Sequence, residues 1–197
     1  MKIMLLSNNG NVKSLYEWLV EKGNDVTLYH DPITVEVVDE INPEIVISYN
    51  YQYIVKEDVI NRLGDSIINM HTSYLPWNKG ASPNIWSFRD DTPKGVTIHR
   101  LEKGLDTGKI IIQKELSFDE NIETLSSTYS KLNEEIVKLL MNNWEMISSG
   151  NYTLKDQEGK GSYHRTSDLE AILKGKHIDY SMSIKEFKSF IAGCREE

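Results

Sequence analysis

An amide and an imidazole two residues apart, at the end of an apolar run, can serve acyl-transfer chemistry. The run is Ile67-Ile68-Asn69-Met70-His71. In an extended strand, residues two apart share a face, with Cα atoms roughly 6.5–7 Å apart. Asn69 and His71 therefore point the same way. The amide can donate to an oxygen that gains negative charge. The imidazole, with a reference pKa of about 6.5, exchanges protons near neutrality. Both groups lose hydration at the end of a buried strand unless something satisfies them. Capping the strand end would do that as well as catalysis would, and on this pair alone the two readings weigh the same. A carboxylate follows in Gly104-Leu105-Asp106-Thr107-Gly108, a glycine-flanked turn between two strands. Taken alone, Asp106 is more readily a turn former than a catalyst.

Between them, His71 to Pro83 is a long loop rich in breakers, and loops of that length in compact domains tend to be functional. It carries Trp77 and Lys79, with Trp86 and Arg89 beyond. Trp86 reads as core and Lys79 as a surface cation. His99, inside a strand, reads as structural.

The elements that must position these groups alternate. Strands are expected over Lys2–Ser7, Asp25–His30, Glu44–Ser48 and Asp65–His71, with helices over Val12–Lys22, Ile33–Ile41 and Val55–Leu63 between them. Strand and helix in this alternation mean βαβ units and a parallel sheet, with ligands at the carboxyl ends of the strands. Two longer strands, Lys94–Leu101 and Lys109–Phe118, flank the Asp106 turn. A long helix is expected over Glu123–Ser149. The remainder is polar, with a last helix over Ser183–Ala192.

The chain has 197 residues, 39% of them hydrophobic, enough for one sizeable core or one domain with a small appendage. No apolar run of about 18 residues spans a membrane, and the apolar start is too short for a signal-peptide core. Acidic residues outnumber basic ones, 30 to 22, for a net charge of −8, which argues against a nucleic-acid partner. The lone cysteine, Cys194, makes no internal disulfide and fits a reducing cytoplasm.

Three stretches together resemble the folate-dependent formyltransferase family: Asn69-Met70-His71-Thr72-Ser73-Tyr74-Leu75-Pro76, Gly95-Val96-Thr97-Ile98-His99, and Leu105-Asp106-Thr107-Gly108-Lys109-Ile110-Ile111. The similarity covers roughly residues 1–175 and is densest over 65–112. Thr72 stands where many relatives have proline. The resemblance implies a Rossmann-like α/β fold, an open, mostly parallel twisted sheet with flanking helices. It implies a catalytic domain over 1–175 and a short helical extension over 176–197. The implied co-substrate is 10-formyltetrahydrofolate, with no metal, and the family's catalytic residues fall on Asn69, His71 and Asp106. Asn69 would stabilise the oxyanion, and His71 would assist there or relay the amine proton. Asp106 would orient His71 and share in proton transfer. Folate is expected against Ile54 and Lys103, Gly104 and Leu105.

The amine is less constrained. Glycinamide ribonucleotide transformylase fits the length, but its relatives carry a glycine-rich phosphate loop after the first strand, where this chain reads Ser7-Asn8-Asn9-Gly10-Asn11. Methionyl-tRNA formyltransferase would need a further C-terminal domain and usually a basic surface. Leu75 to Asn84 and Gly161-Ser162-Tyr163-His164-Arg165 resemble the nucleotide-sugar N-formyltransferases, whose product would enter cell-surface polysaccharide such as O-antigen or capsule. On that branch Ser73, Trp77, Lys79, Tyr163 and Arg165 bind the amino-sugar nucleotide, with His164 in the same stretch. The partners are then two small molecules, without nucleic acid or membrane. Longer relatives continue into a dimerising region, which leaves a homodimer open. Outside the family stand a non-catalytic folate- or sugar-binding module and a nicotinamide oxidoreductase, the latter opposed by the poverty of glycine after the first strand.

Overall fold

Short aliphatic runs make the parallel strands, and polar, capped stretches make the helices between them. The computed structural model of the chain describes residues 1–194. They form two compact units. The first comprises 1–71, 98–112 and 140–156; the second comprises 72–97, 113–139 and the chain from 157 onward.

In the first unit, β1 (Lys2–Leu6), β2 (Asp25–Tyr29), β3 (Ile45–Tyr49) and β4 (Ile67–His71) run parallel in the order β2-β1-β3-β4. β3 is buried along its whole length, as its continuous apolar run demands of a central parallel strand. Its register puts Ser48 beside Asn69. Helices α1 (Lys13–Glu21), α2 (Val35–Ile41) and α3 (Glu57–Leu63) connect the strands. Met4, Leu6 and Val46 pack with Val38 of α2 and with Val59 and Leu63 of α3 in one apolar cluster. Thr34 caps α2 by accepting from the Val37 amide. Asn42, in the left-handed region, ends it.

Two further strands, β6 (Lys94–Arg100) and β7 (Ile110–Leu116), complete a six-stranded sheet beyond β4. They run antiparallel: Leu101 N donates to Ile67 O at 3.2 Å, and Arg100 N to Lys109 O at 2.9 Å. The sheet is mixed and mostly parallel, as the alternation of elements predicts.

The second unit holds α4 (Pro83–Arg89), residues 125–139 of α5 (Leu125–Asn142), α7 (Thr166–Leu173) and α8 (Ile184–Gly193). Ile85, Phe88, Leu125, Ile184, Phe187 and Ile191 form its core. A two-stranded parallel ribbon pairs β5 (Lys79–Gly80) with β8 (Tyr163–His164).

The expected single helix over 123–149 is two: after α5 the chain leaves helical geometry at Asn143 (φ −117°, ψ 17°) and resumes as α6, Trp144–Ser148. Adjacent asparagines at 142 and 143 compete for the backbone and weaken a helix there. The Trp144 ring meets Trp18 edge-on, centroids 6.1 Å apart. Helix α7 lies in a stretch expected to be loose. Its first turn is tied down by the Asp168 carboxylate, which accepts from the Arg165 amide at 2.7 Å. Among the described residues no helix is long and apolar enough to cross a membrane.

Helix α8 is part of the core, so truncating its buried Phe187 has a large expected effect. Phe187→Ala should destabilise by about 3–5 kcal/mol. Thermal unfolding would read this against Ser189→Ala, an exposed change on the same helix that should stay within about 0.5 kcal/mol.

Candidate active site

β4 ends on two polar side chains at the carboxyl edge of an apolar strand. The antiparallel return of β6 brings a third, His99, beside Asn69. Asn69 Nδ2 lies 3.2 Å from His99 Nε2 and 3.2 Å from Asp106 Oδ1. His99 is 1% exposed, and its Nδ1 is 2.7 Å from the Arg100 carbonyl oxygen. A carbonyl only accepts, so Nδ1 carries the proton, and in the neutral ring Nε2 is left to accept from Asn69. This fixes the amide's orientation: one hydrogen goes to the imidazole, the other to the carboxylate. His71 Nδ1 stands 3.7 Å from Asp106 Oδ2, and His99 Nε2 stands 3.6 Å from Asp106 Oδ1. The imidazoles of His71 and His99 meet edge-on, centroids 6.3 Å apart.

The loop that delivers Asp106 is shaped by backbone. Asp106 takes a left-handed φ of 53°, while its side chain is only 10% exposed. A Cβ on Gly108 would stand 1.8 Å from the Arg100 carbonyl oxygen, so only glycine lets the chain turn back onto β6 there. Asn69, His71 and Asp106 thus converge within the first unit. His99 joins them, although inside a strand it reads as structural. The signal was available, because antiparallel pairing that sets Leu101 against Ile67 also sets His99 against Asn69.

The residues expected to hold folate also lie in the first unit. Ile54 is 82% exposed and Leu105 45%, leaving uncovered apolar surface, and Lys103 pairs with Glu57 at 3.0 Å. Gly104 opens the Asp106 turn. The residues expected to bind the amine substrate lie in the second unit. Ser73 is buried, and its hydroxyl donates to the Trp77 carbonyl at 2.6 Å, so it shapes its loop. Trp77 and Lys79 are partly exposed, while Tyr163 and Arg165 face solvent with the guanidinium 6.0 Å from the Tyr163 ring centre. His164, in the same stretch, turns inward and stacks on Trp86.

A second crevice belongs to the sheet's topology. β1 has β2 on one side and β3 on the other, so the loops after β1 and β3 part at their carboxyl ends, where open α/β sheets commonly bind ligands. Here Asn8 bridges them. Its amide N donates to Asn50 O at 3.2 Å, its Oδ1 accepts from Gln52 N at 3.1 Å, and its Nδ2 donates to His30 O at 2.7 Å. Among the described residues, no group of three or more His, Cys, Asp or Glu is disposed to hold a metal ion.

Fold and site together set an amide, imidazoles and a carboxylate at the strand ends of an α/β sheet, an arrangement suited to group transfer at an acyl carbon. The model of the formyl transferase family matches residues 16–143, which include all four groups. The chain belongs to that family. It is 28% identical over 184 residues, 87% of this chain and 77% of the relative, to a dTDP-4-amino-4,6-dideoxyglucose formyltransferase of Mycobacterium bovis. A methionyl-tRNA formyltransferase of Ehrlichia ruminantium is 38% identical over 109 residues, covering 54% of this chain and 36% of that one. Among solved structures, the formyltransferase PseJ from Anoxybacillus kamchatkensis, in complex with UDP-4,6-dideoxy-4-formamido-L-AltNAc and tetrahydrofolate, superposes with a TM-score of 0.87. It is 41% identical, with 95% of this chain and 97% of that chain covered.

Proposed function

We propose that the protein transfers the formyl group of 10-formyltetrahydrofolate to the amino group of a nucleotide-linked amino sugar, for cell-surface polysaccharide. The observation that carries this is the near end-to-end likeness to PseJ, a formyltransferase in complex with a UDP-linked formamido sugar and tetrahydrofolate. Two further points support it. The crevice between β1 and β3 is stitched by Asn8, which disfavours a phosphate bound there, as the purine alternative would need. The charge of −8 disfavours tRNA.

The uncovered apolar surface of Ile54 and Leu105 fits a flat heterocycle beside the Asp106 turn. Bound folate supplies an electrophilic formyl carbon. Asn69, His71 and Asp106 do the rest. The amine nitrogen forms the new C–N bond, and Asn69 donates to the oxygen that gains charge. Both Asn69 amide hydrogens are engaged, one by Asp106. Drawing Asp106 and His71 together from 3.7 Å to hydrogen-bond range, about 2.8 Å, hands the second hydrogen to the oxyanion. The proton shed by the amine passes to the His71–Asp106 pair, and the folate nitrogen takes a proton as its bond to the formyl carbon breaks. His99 holds Asn69 in register throughout. In the second unit, Trp77, Lys79, Tyr163 and Arg165 bind the nucleotide sugar. The single, unpaired Cys194 fits a cytoplasmic setting.

The test is a two-product assay. The purified protein is incubated with 10-formyltetrahydrofolate and either UDP- or dTDP-linked 4-amino-4,6-dideoxy sugars. Equal amounts of formamido sugar and tetrahydrofolate are expected. Formylation of glycinamide ribonucleotide, with none of any amino-sugar nucleotide, would sink the reading.

A further inference from the structure

The ribbon strand β8 alternates, as strands do. Ser162 and His164 turn toward the protein, while Tyr163, 48% exposed, and Arg165 face outward. The two inward residues anchor it by different chemistry. Ser162 is tied by polar bonds: its Oγ accepts from the Asn78 amide at 2.8 Å, and its carbonyl accepts from the Lys79 amide at 3.0 Å. His164 is held by its ring face. It lies flat on Trp86, centroids 3.8 Å apart and planes 4° from parallel.

The His164 backbone is fixed by the ladder, its carbonyl accepting from the Ala81 amide at 2.9 Å, and its ring is placed by the stack. His164 Nε2 is buried without a hydrogen-bond partner among the described residues, and Asp90 Oδ2 stands off at 3.4 Å. Burial pushes the imidazole below its usual pKa. Asp90 pulls it up, Arg89 lowers it further, and Asp168 opposes. Burial thus favours the neutral form of the ring. Trp86 beneath it is itself fixed, fully buried in α4, with the Arg89 guanidinium 4.8 Å from its ring centre and Arg89 paired to Asp90 at 2.5 Å. Opposite, a Cβ on Gly80 would stand 2.3 Å from the His164 carbonyl oxygen, so the two ribbon strands approach as closely as backbone permits.

We propose that His164 is a positioning residue for the nucleotide sugar. Its stack on Trp86 sets β8 so that Tyr163 and Arg165 stand ready as an aromatic–guanidinium pair for the nucleotide. This rests on the functional reading above. A phenol face stacks a flat base, and a guanidinium fork matches the oxygens of a diphosphate. Holding such a pair in its bound arrangement raises affinity by cutting the cost of ordering it. None of Asn69, His71, His99 or Asp106 is a member of the stack, so its loss falls on binding of one substrate.

Steady-state kinetics on three variants test this. His164→Ala should raise KM for the amino-sugar nucleotide about tenfold, the scale of one lost aromatic stack. Saturating kcat and KM for 10-formyltetrahydrofolate should stay within about twofold, because binding of the sugar nucleotide alone is affected. His164→Phe keeps a ring and should return KM to within about threefold of wild type, whereas His164→Gln, without one, should behave like His164→Ala. If His164→Ala fails to fold, the Phe and Gln pair decides. Wild-type KM in His164→Ala, or a Phe variant no better than Gln, overturns the positioning role while the enzyme's function stands. A wild-type protein that formylates no amino-sugar nucleotide overturns the functional reading and this role with it.

Discussion

Asn69→Ala is expected to slow turnover by about 10²–10³-fold at saturating substrates, the usual cost of removing one donor to an oxyanion. KM for both substrates should hold within about threefold, because the donor matters most once negative charge has developed. The geometry makes the loss specific. Asn69 is held between His99 Nε2 and Asp106 Oδ1, each at 3.2 Å. The substitution also leaves the buried His99 without its donor, which should lower stability by about 1–3 kcal/mol. Activity is therefore read well below the unfolding midpoint, with circular dichroism confirming the fold. Turnover near wild type would remove Asn69 from the chemistry.

Asp106→Asn separates two roles that the same residue could fill. If Asp106 served only to form its turn, asparagine would replace it without consequence, since it tolerates the left-handed φ of 53° and makes similar local bonds. As the carboxylate facing His71 at 3.7 Å, it should instead be indispensable. The expected result is a fall in kcat of about 10²–10⁴-fold with a melting temperature close to wild type. A variant that keeps both its stability and its activity would return Asp106 to the status of a turn former.

The central parallel strand was legible because its aliphatic run is uninterrupted: Ile45-Val46-Ile47 can only be buried on both faces. The shared face of Asn69 and His71 was legible too, because strand periodicity needs no tertiary knowledge. The third group was not. Asp106 reaches the pair through an antiparallel return that neither composition nor local spacing specifies, and it was family resemblance that pointed there. His99 reads as structural from its strand alone, and its place beside Asn69 follows only from the register of β6 against β4. His164 was read with its outward neighbours, although period-two alternation separates it from Tyr163 and Arg165. Helix α7 escaped because its polar start hides a short apolar stripe, and the break at Asn143 because the stripe of α5 continues across it.

Each compact unit is stitched from three separated stretches of chain, and the stretches alternate along the sequence. No single cut yields either unit as a fragment able to stand alone. During synthesis the opening strands must wait for β7, ending at Leu116, before their sheet is complete, and for residues up to about 156 before their unit is. Ordering is thereby deferred to long-range closure, which slows folding and favours late, concerted assembly over stepwise maturation from the amino terminus.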